Sequence, residues 1–137
     1  MSIASLRWMV VLAALAGCSD APSAPSPGKL VGVWGADHIN LVVDEARSHL
    51  DLDCAHGDIP VPLTVDAAGD LAARGTFVRE HGGPIRVDEI ADAHPALYSG
   101  TLTANTLRLT IRLTDSNELI GTFTLTRGVT GRVVKCL

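Results

Sequence analysis

Histidine and carboxylate side chains lie close together in several short polar stretches of this sequence. Three histidines, His56, His81 and His94, each have an acidic residue within two positions along the chain. Neutral imidazoles backed by carboxylates suit zinc or another borderline metal ion. We therefore take these histidines as candidate metal ligands, and the same pattern defines a candidate binding end: His56, Asp58, Glu80, His81, Asp92 and His94.

The spacing of these residues does not match a compact metal motif such as His-Glu-x-x-His. The alternative interpretation is that they are surface turn residues, in which Asp and Gly shape the backbone and histidine makes ordinary hydrogen bonds. We favour this alternative, so no cofactor is expected, and zinc is kept as the competing hypothesis.

Serine and glycine patterns do not indicate an enzyme. Ser48, Ser99 and Ser116 lack the glycine-flanked turn of a nucleophile elbow. The stretch Gly82-Gly83-Pro84 is typical of a turn and opens no helix that could bind a phosphate group. We therefore predict no catalytic residues and favour a non-enzymatic protein.

The chain contains three cysteines, Cys18, Cys54 and Cys136. In an oxidising compartment Cys54 and Cys136 are expected to form a disulfide bond, which would stabilise the fold by roughly 4 kcal/mol in the chain-entropy model. The alternative, a redox-active or metal-binding thiol pair, lacks a Cys-x-x-Cys spacing to support it.

The first residues have the layout of a secretory signal: a basic start, an apolar run at residues 8–15 and small residues after it. The run is too short to span a bilayer, which needs about 20 residues. The stretch Leu15-Ala16-Gly17-Cys18 resembles the lipobox of bacterial lipoproteins. The resemblance implies cleavage before Cys18 and attachment of diacylglycerol to its sulfur; the alternative is an ordinary signal peptide with an incidental cysteine.

These features divide the chain into three parts. Residues 1–17 are predicted to be the signal peptide, residues 18–29 a lipidated cysteine with a Pro/Ser-rich linker, and residues 30–137 a single folded domain. The predicted location is the cell envelope, with the membrane contacted through the lipid. In a Gram-negative host, Ser19 after the lipidated cysteine resembles the pattern that sorts lipoproteins to the outer membrane.

The charge distribution argues against a nucleic-acid partner. The formal net charge is −4, and the arginines are dispersed along the chain. Nucleic-acid binding requires a concentrated positive surface, so we expect no nucleic-acid partner.

Apolar residues alternate with polar ones through most of the folded part, which predicts β-strands. The clearest case is Leu107, Leu109, Ile111 and Leu113, interleaved with Arg and Thr. Eight extended segments are predicted near residues 31–43, 47–54, 58–65, 70–79, 96–103, 106–114, 119–126 and 131–136. The short connections predict an all-β fold, a small antiparallel up-and-down barrel of about eight strands. In this topology His56, His81 and His94 lie at one end, His38 lies partway down the first strand, and a disulfide would require the C-terminal tail to cross that strand.

The stretch Gly32-Val33-Trp34 resembles the Gly-x-Trp signature of lipocalin and calycin barrels. The resemblance implies that an arginine near the last strand packs across the tryptophan, and Arg127 and Arg132 are the candidates. A calycin-like barrel further implies a binding module for a small apolar ligand or an envelope protein.

Two alternative functions remain open at this point. One is a structural or inhibitory envelope protein, because small disulfide-linked barrel lipoproteins that inhibit lysozyme are similar in size, anchoring and late cysteine. The other is a metal-binding protein that uses the histidine end.

Overall fold

The structure, a computed structural model, describes residues 27–137. The predicted signal peptide, the lipobox with Cys18 and most of the linker lie outside the described residues. Among the residues that are described, no helix is long and apolar enough to cross a membrane. The strands are β1 (Gly28–Lys29), β2 (Gly32–Ala36), β3 (Ile39–Val43), β4 (Ser48–Leu52), β5 (Ala55–Ile59), β6 (Thr64–Val65), β7 (Asp70–Arg79), β8 (Asp92–Thr103), β9 (Thr106–Leu113) and β10 (Leu119–Arg127).

Eight of these strands form a closed antiparallel barrel in the order β2-β3-β4-β5-β7-β8-β9-β10, with β10 paired to β2. Strands β1 and β6 form a separate two-stranded sheet. The prediction of an all-β, up-and-down barrel of eight strands is confirmed, and the architecture is compatible with a calycin-like barrel.

The predicted strand 31–43 is wrong as a single element, because it contains both β2 and β3. A sharp turn at Asp37 and His38 separates them, and His38 adopts a left-handed conformation with φ of 71°. His38 therefore lies in a turn at the end of the barrel, and not partway down a strand. The sequence gives little warning of this turn, because no glycine marks the left-handed position.

The predicted strand 131–136 is also wrong. Its one β contact is an isolated parallel bridge between Asp37 and Arg132. Strand β10 has already closed the barrel on β2, so no regular strand position remains for this segment. The predicted strand 58–65 is likewise divided between β5 and β6, because Pro60 and Pro62 interrupt it.

Buried side chains fill the interior of the barrel. The alternating apolar residues of β9 are all fully buried, and so are Trp34 and Tyr98, the two largest buried side chains. The Tyr98 hydroxyl donates a hydrogen bond to the Thr76 carbonyl at 2.6 Å. Gly57 faces this hydroxyl, and a methyl group at that position would collide with it. The interior is therefore a packed core.

The two ends of the barrel differ. The closed end is covered by β1 and β6, where Val65 of β6 and the flanking Leu30 and Leu63 are buried. The opposite end, here called the rim, consists of the turns at 37–38, 53–54 and 114–118 and the loop of residues 80–91. The described chain therefore begins at the closed end, and its one long loop lies at the other.

Trp34 and Arg127 stack at the seam between β2 and β10. The Trp34 indole is fully buried and donates a hydrogen bond to the Leu30 carbonyl at 2.8 Å. The Arg127 guanidinium carbon lies 4.3 Å from the centre of the ring. Of the two candidate arginines, Arg127 has the role that the calycin resemblance implies, whereas Arg132 pairs with Asp37 at 3.1 Å.

Candidate functional site

A cleft of about 550 Å³ lies at the rim beside the loop of residues 80–91. Val78, Ile85, Ile90 and Ala91 supply its apolar walls. The remaining lining residues are His56, Arg79, Glu80, His81, Gly83, Glu89, Asp92 and Cys136. The cleft thus combines aliphatic side chains with several ionisable groups, as binding sites commonly do.

The structure brings together four members of the predicted binding end, because His56, Glu80, His81 and Asp92 all line this cleft. The other two lie outside the lining. Asp58 is on β5, where it accepts a hydrogen bond from His49 at 2.7 Å. His94 is on β8 and interacts with the turn that follows β9.

His56 and Glu80 connect β5 to the start of the loop. The His56 Nδ1 lies 2.7 Å from Glu80 Oε1, and the Lys135 ammonium lies 3.2 Å from the same oxygen. Burial acts to raise the pKa of Glu80, but the hydrogen bonds from His56 and Lys135 outweigh it, so that the pKa lies below its usual range. Glu80 is therefore held ionised between two donors at the base of the loop.

His81 and Glu89 connect the two halves of the loop. His81 Nδ1 donates to the Gly82 carbonyl at 2.8 Å, and its Nε2 is hydrogen-bonded to Glu89. The Gly82 carbonyl and then the Glu89 carboxylate raise the pKa of His81. The Arg86 backbone N–H also donates to Glu89. The Glu89 carboxylate therefore connects its own part of the loop to His81 and to Arg86.

His94 holds two carboxylates together at the rim. Its Nδ1 lies 2.7 Å from Asp115 and its Nε2 lies 2.8 Å from Asp92. Asp115 and then Asp92 raise the pKa of His94, and the His94 hydrogen bond lowers the pKa of Asp115. This contact ties β8 to the turn between β9 and β10.

The three candidate zinc ligands do not share one point in space, because each histidine uses its ring nitrogens on different carboxylates. Within residues 27–137, no group of three His, Cys, Asp or Glu side chains is arranged to hold a metal ion. The remaining two of the five histidines are also paired, His38 with Asp53 at 2.6 Å and His49 with Asp58. This arrangement agrees with the alternative interpretation of ordinary hydrogen bonding.

Three aliphatic residues of the loop are strongly exposed: Ile85 at 82%, Val87 at 108% and Ile90 at 92% of full accessibility. We call these three residues the apolar crest. Sequence reasoning missed them, because they follow neither a strand nor a helix period. Their residue types could have indicated this surface, because aliphatic residues are unexpected in a long surface loop next to Gly82-Gly83-Pro84.

The C-terminal tail forms one side of the cleft. Cys136 lies at disulfide distance from Cys54, with the two Cα atoms 5.2 Å apart. The Val134 N–H donates to Asp53 at 2.9 Å, which is the main cause of the lowered pKa of Asp53. The tail reaches this position by crossing the turn between β2 and β3, where His38 and Arg132 share a backbone hydrogen bond.

Carboxylates outnumber basic residues at the rim. Four basic side chains, Arg79, Arg86, Arg132 and Lys135, are each ion-paired with a carboxylate, and Arg112 donates to the Asn117 carbonyl. Asp53, Glu89 and Asp115 have only histidine as an ionisable partner within hydrogen-bond distance. The rim therefore carries net negative charge when the histidines are neutral.

Comparison of the chain with protein-family models, with curated proteins and with solved structures found no match.

Proposed function

We propose that this protein is a lipoprotein of the cell envelope, and that its barrel is an interaction module whose rim binds a partner protein. Cys18 would carry the lipid, and residues 18–29 would act as the spacer between the membrane and the domain. The apolar crest of Ile85, Val87 and Ile90 is the observation that carries the proposal.

An aliphatic side chain that is exposed in the free domain is removed from water only when a partner covers it, so its hydrophobic contribution goes to the complex. Burying one such side chain in an interface contributes roughly 1.5–3 kcal/mol. A crest of three beside a cleft is large enough to act as the apolar centre of an interface, with the surrounding charged groups forming its edge.

The filled core favours an external partner over a ligand held inside the barrel. Tyr98 and the β9 side chains are fully buried in the interior, where a calycin barrel would hold an apolar molecule. The inhibitory alternative uses the same geometry, because a protruding loop over a filled core is suited to insertion into another protein. The metal-binding alternative gains no support from histidines that are already engaged with separate carboxylates.

The position of the loop agrees with this function. The linker joins the domain near Gly28, at the closed end, and the loop lies at the rim. A barrel anchored through residues 18–29 would thus direct its crest away from the anchoring point. Surface loops carried by a rigid scaffold commonly bear binding residues.

The base of the loop is held by several contacts that would keep the crest in place before binding. Glu80 is fixed by His56 and Lys135, and the Cys54–Cys136 pair lies beside it. A surface that is ordered in advance loses less conformational entropy when a partner binds.

The proposal is tested by placing a photoreactive amino acid at Val87 of the full chain in the producing organism. We expect a discrete cross-linked species from Val87 on illumination. Val61, which is 49% exposed and lies outside the loop, is the matched control and should give no such species. Absence of any adduct from Val87, or the same adducts from both positions, would argue against the rim as the binding surface.

A further inference from the structure

The charged residues of the domain are distributed unequally between its two ends. We call residues 37–38, 51–54, 79–92, 112–118 and 131–137 the rim end, because they form the rim, the tail that crosses it and the strand residues next to both. Nine of the fourteen Asp and Glu residues among residues 27–137 lie at the rim end, but only five of the ten Lys and Arg residues do. With neutral histidines, the rim end therefore has an excess of four negative charges.

The rest of the described chain is electrically balanced. Its five acidic residues are matched by five basic ones, Lys29, Arg47, Arg74, Arg108 and Arg127. Hydrogen bonds to the Gly82 carbonyl and to Asp115 raise the pKa values of His81 and His94, respectively. Even with both imidazoles protonated, the rim end keeps an excess of two negative charges. A field of this asymmetry favours the approach of a positively charged partner to the end that carries the apolar crest.

The cleft beside the apolar crest has the same sign of charge. Glu80, Glu89 and Asp92 line it, and Arg79 is the one Lys or Arg side chain among its described lining residues. This arginine is already engaged, because it donates to Glu118 at 2.8 Å and lies 3.9 Å from Asp92. The cleft therefore holds more carboxylates than cations, and its single guanidinium is already paired.

Glu89 is placed to receive a cation from outside the domain. Its side chain is 27% exposed, and within residues 27–137 His81 is its one ionisable partner at hydrogen-bond distance. Ile85 and Ile90 of the apolar crest line the same cleft. A lysine or arginine side chain has the matching form, since its alkyl part can lie against aliphatic residues while its charged head reaches a carboxylate.

We propose that the partner bound at the rim presents a basic surface, and that one of its lysine or arginine side chains enters the cleft between Ile85, Ile90 and Glu89. The inference rests on the proposed function, because it specifies the chemistry of the partner that the apolar crest binds. An acidic protein or an anionic lipid surface would meet like charges at the rim end, which disfavours both as partners.

Charge reversal at two exposed positions tests the proposal. The readout is cross-linking from a photoreactive amino acid at Val87 of the full chain in the producing organism. Asp88→Lys/Glu118→Lys removes the negative excess of the rim end. Glu45→Lys/Asp70→Lys is the matched control, because it changes the net charge of the chain by the same amount, also at exposed positions, but away from the rim end.

We expect the yield of the protein adduct to fall roughly tenfold in the rim variant and to stay within about twofold of the parent in the control. In envelope membranes that carry the unaltered barrel, the yield should also fall as salt rises from about 0.05 M to about 0.3 M, because salt screens exposed charges. Mass spectrometry should place the cross-link in a stretch of the partner that is rich in Lys and Arg. Unfolding midpoints show whether each variant folds; if the rim variant does not, the salt titration and the cross-linked peptide decide.

The outcomes separate this inference from the proposed function. A protein adduct that withstands both charge reversal and salt, or that maps to an acidic stretch of the partner, would overturn the basic partner and leave the rim as the binding surface. A lipid adduct from Val87, or no adduct at all, would overturn both.

Discussion

Arg127 and Trp34 are cross-strand partners in the pair that closes the barrel, and the guanidinium of one covers the indole of the other. The contact joins the last strand to the first strand of the barrel at the seam where only two residue pairs hold them together. A cation over an aromatic face contributes about 0.5–2 kcal/mol, and the buried indole contributes more through packing.

Replacing Trp34 with alanine should reduce the free energy of unfolding by about 3–5 kcal/mol, because a large cavity would remain in the core. Arg127→Ala should cost about 1 kcal/mol, and Arg132→Ala, which removes an exposed ion pair, less than about 0.5 kcal/mol. Urea unfolding monitored by circular dichroism measures all three. A loss below about 1 kcal/mol for Trp34→Ala would contradict its role in the core.

The tail and the cleft depend on Cys54 and Cys136. The double variant Cys54→Ala/Cys136→Ala should lose roughly 4 kcal/mol of stability, because the bond would close a loop across a sequence separation of 82 residues. Chemical unfolding with and without reductant gives the same comparison for the unaltered chain. An unfolding curve that does not respond to reductant would show that the bond is absent or without effect.

The His94–Asp115 pair predicts a defined pH dependence. Asp115 and Asp92 raise the pKa of His94 in the folded state, so the stabilisation is fully present below the unfolded pKa of about 6.5. It is lost as the pH rises through the folded pKa. Asp115→Asn should therefore destabilise the protein more at about pH 5.5 than at about pH 9.

The His94 imidazole resonance reports this directly in an NMR titration. Its midpoint should lie above the ordinary histidine value and should fall in Asp115→Asn. Asp58→Asn is the control, since Asp58 contacts His49 and His56 but does not contact His94. A His94 midpoint that Asp115→Asn leaves unchanged would refute the contact.

The proposed anchor predicts a clear fractionation result. The unaltered chain should incorporate labelled fatty acid and remain with the membranes, since each buried methylene contributes about 0.8 kcal/mol. Cys18→Ser should abolish the label and release the protein, with the pair of Cys54 and Cys136 as unlabelled internal controls. Label that persists in Cys18→Ser would exclude lipidation at this cysteine.

The barrel could be predicted because its signal is local. Leu107, Leu109, Ile111 and Leu113 alternate in sequence and are all buried. The division of residues 31–43 could not be predicted in this way, because the turn depends on His38 adopting a left-handed conformation that is uncommon for residues other than glycine. The prediction of a strand at residues 131–136 was wrong for a non-local reason, because β10 occupies the position beside β2.

The positions of the candidate residues, though not their individual contacts, followed from the predicted topology. The up-and-down order of the strands was sufficient to place His56, Glu80, His81 and Asp92 at one end of the barrel. Individual partners depend on strand register and on the path of the tail, so neither the approach of Lys135 to Glu80 nor that of Asp115 to His94 was visible in the sequence. The crest was missed because periodicity carries no information about an irregular loop.

The most direct test of the central claim is cross-linking from Val87 in the producing organism, compared between the unaltered loop and an Ile85→Ser/Ile90→Ser background. Both isoleucines are highly exposed, so the double variant should keep its unfolding midpoint. If the apolar crest binds a partner, Val87 gives a discrete adduct that is lost or strongly reduced in the double variant. No adduct, or an adduct of equal yield in both backgrounds, would contradict the account.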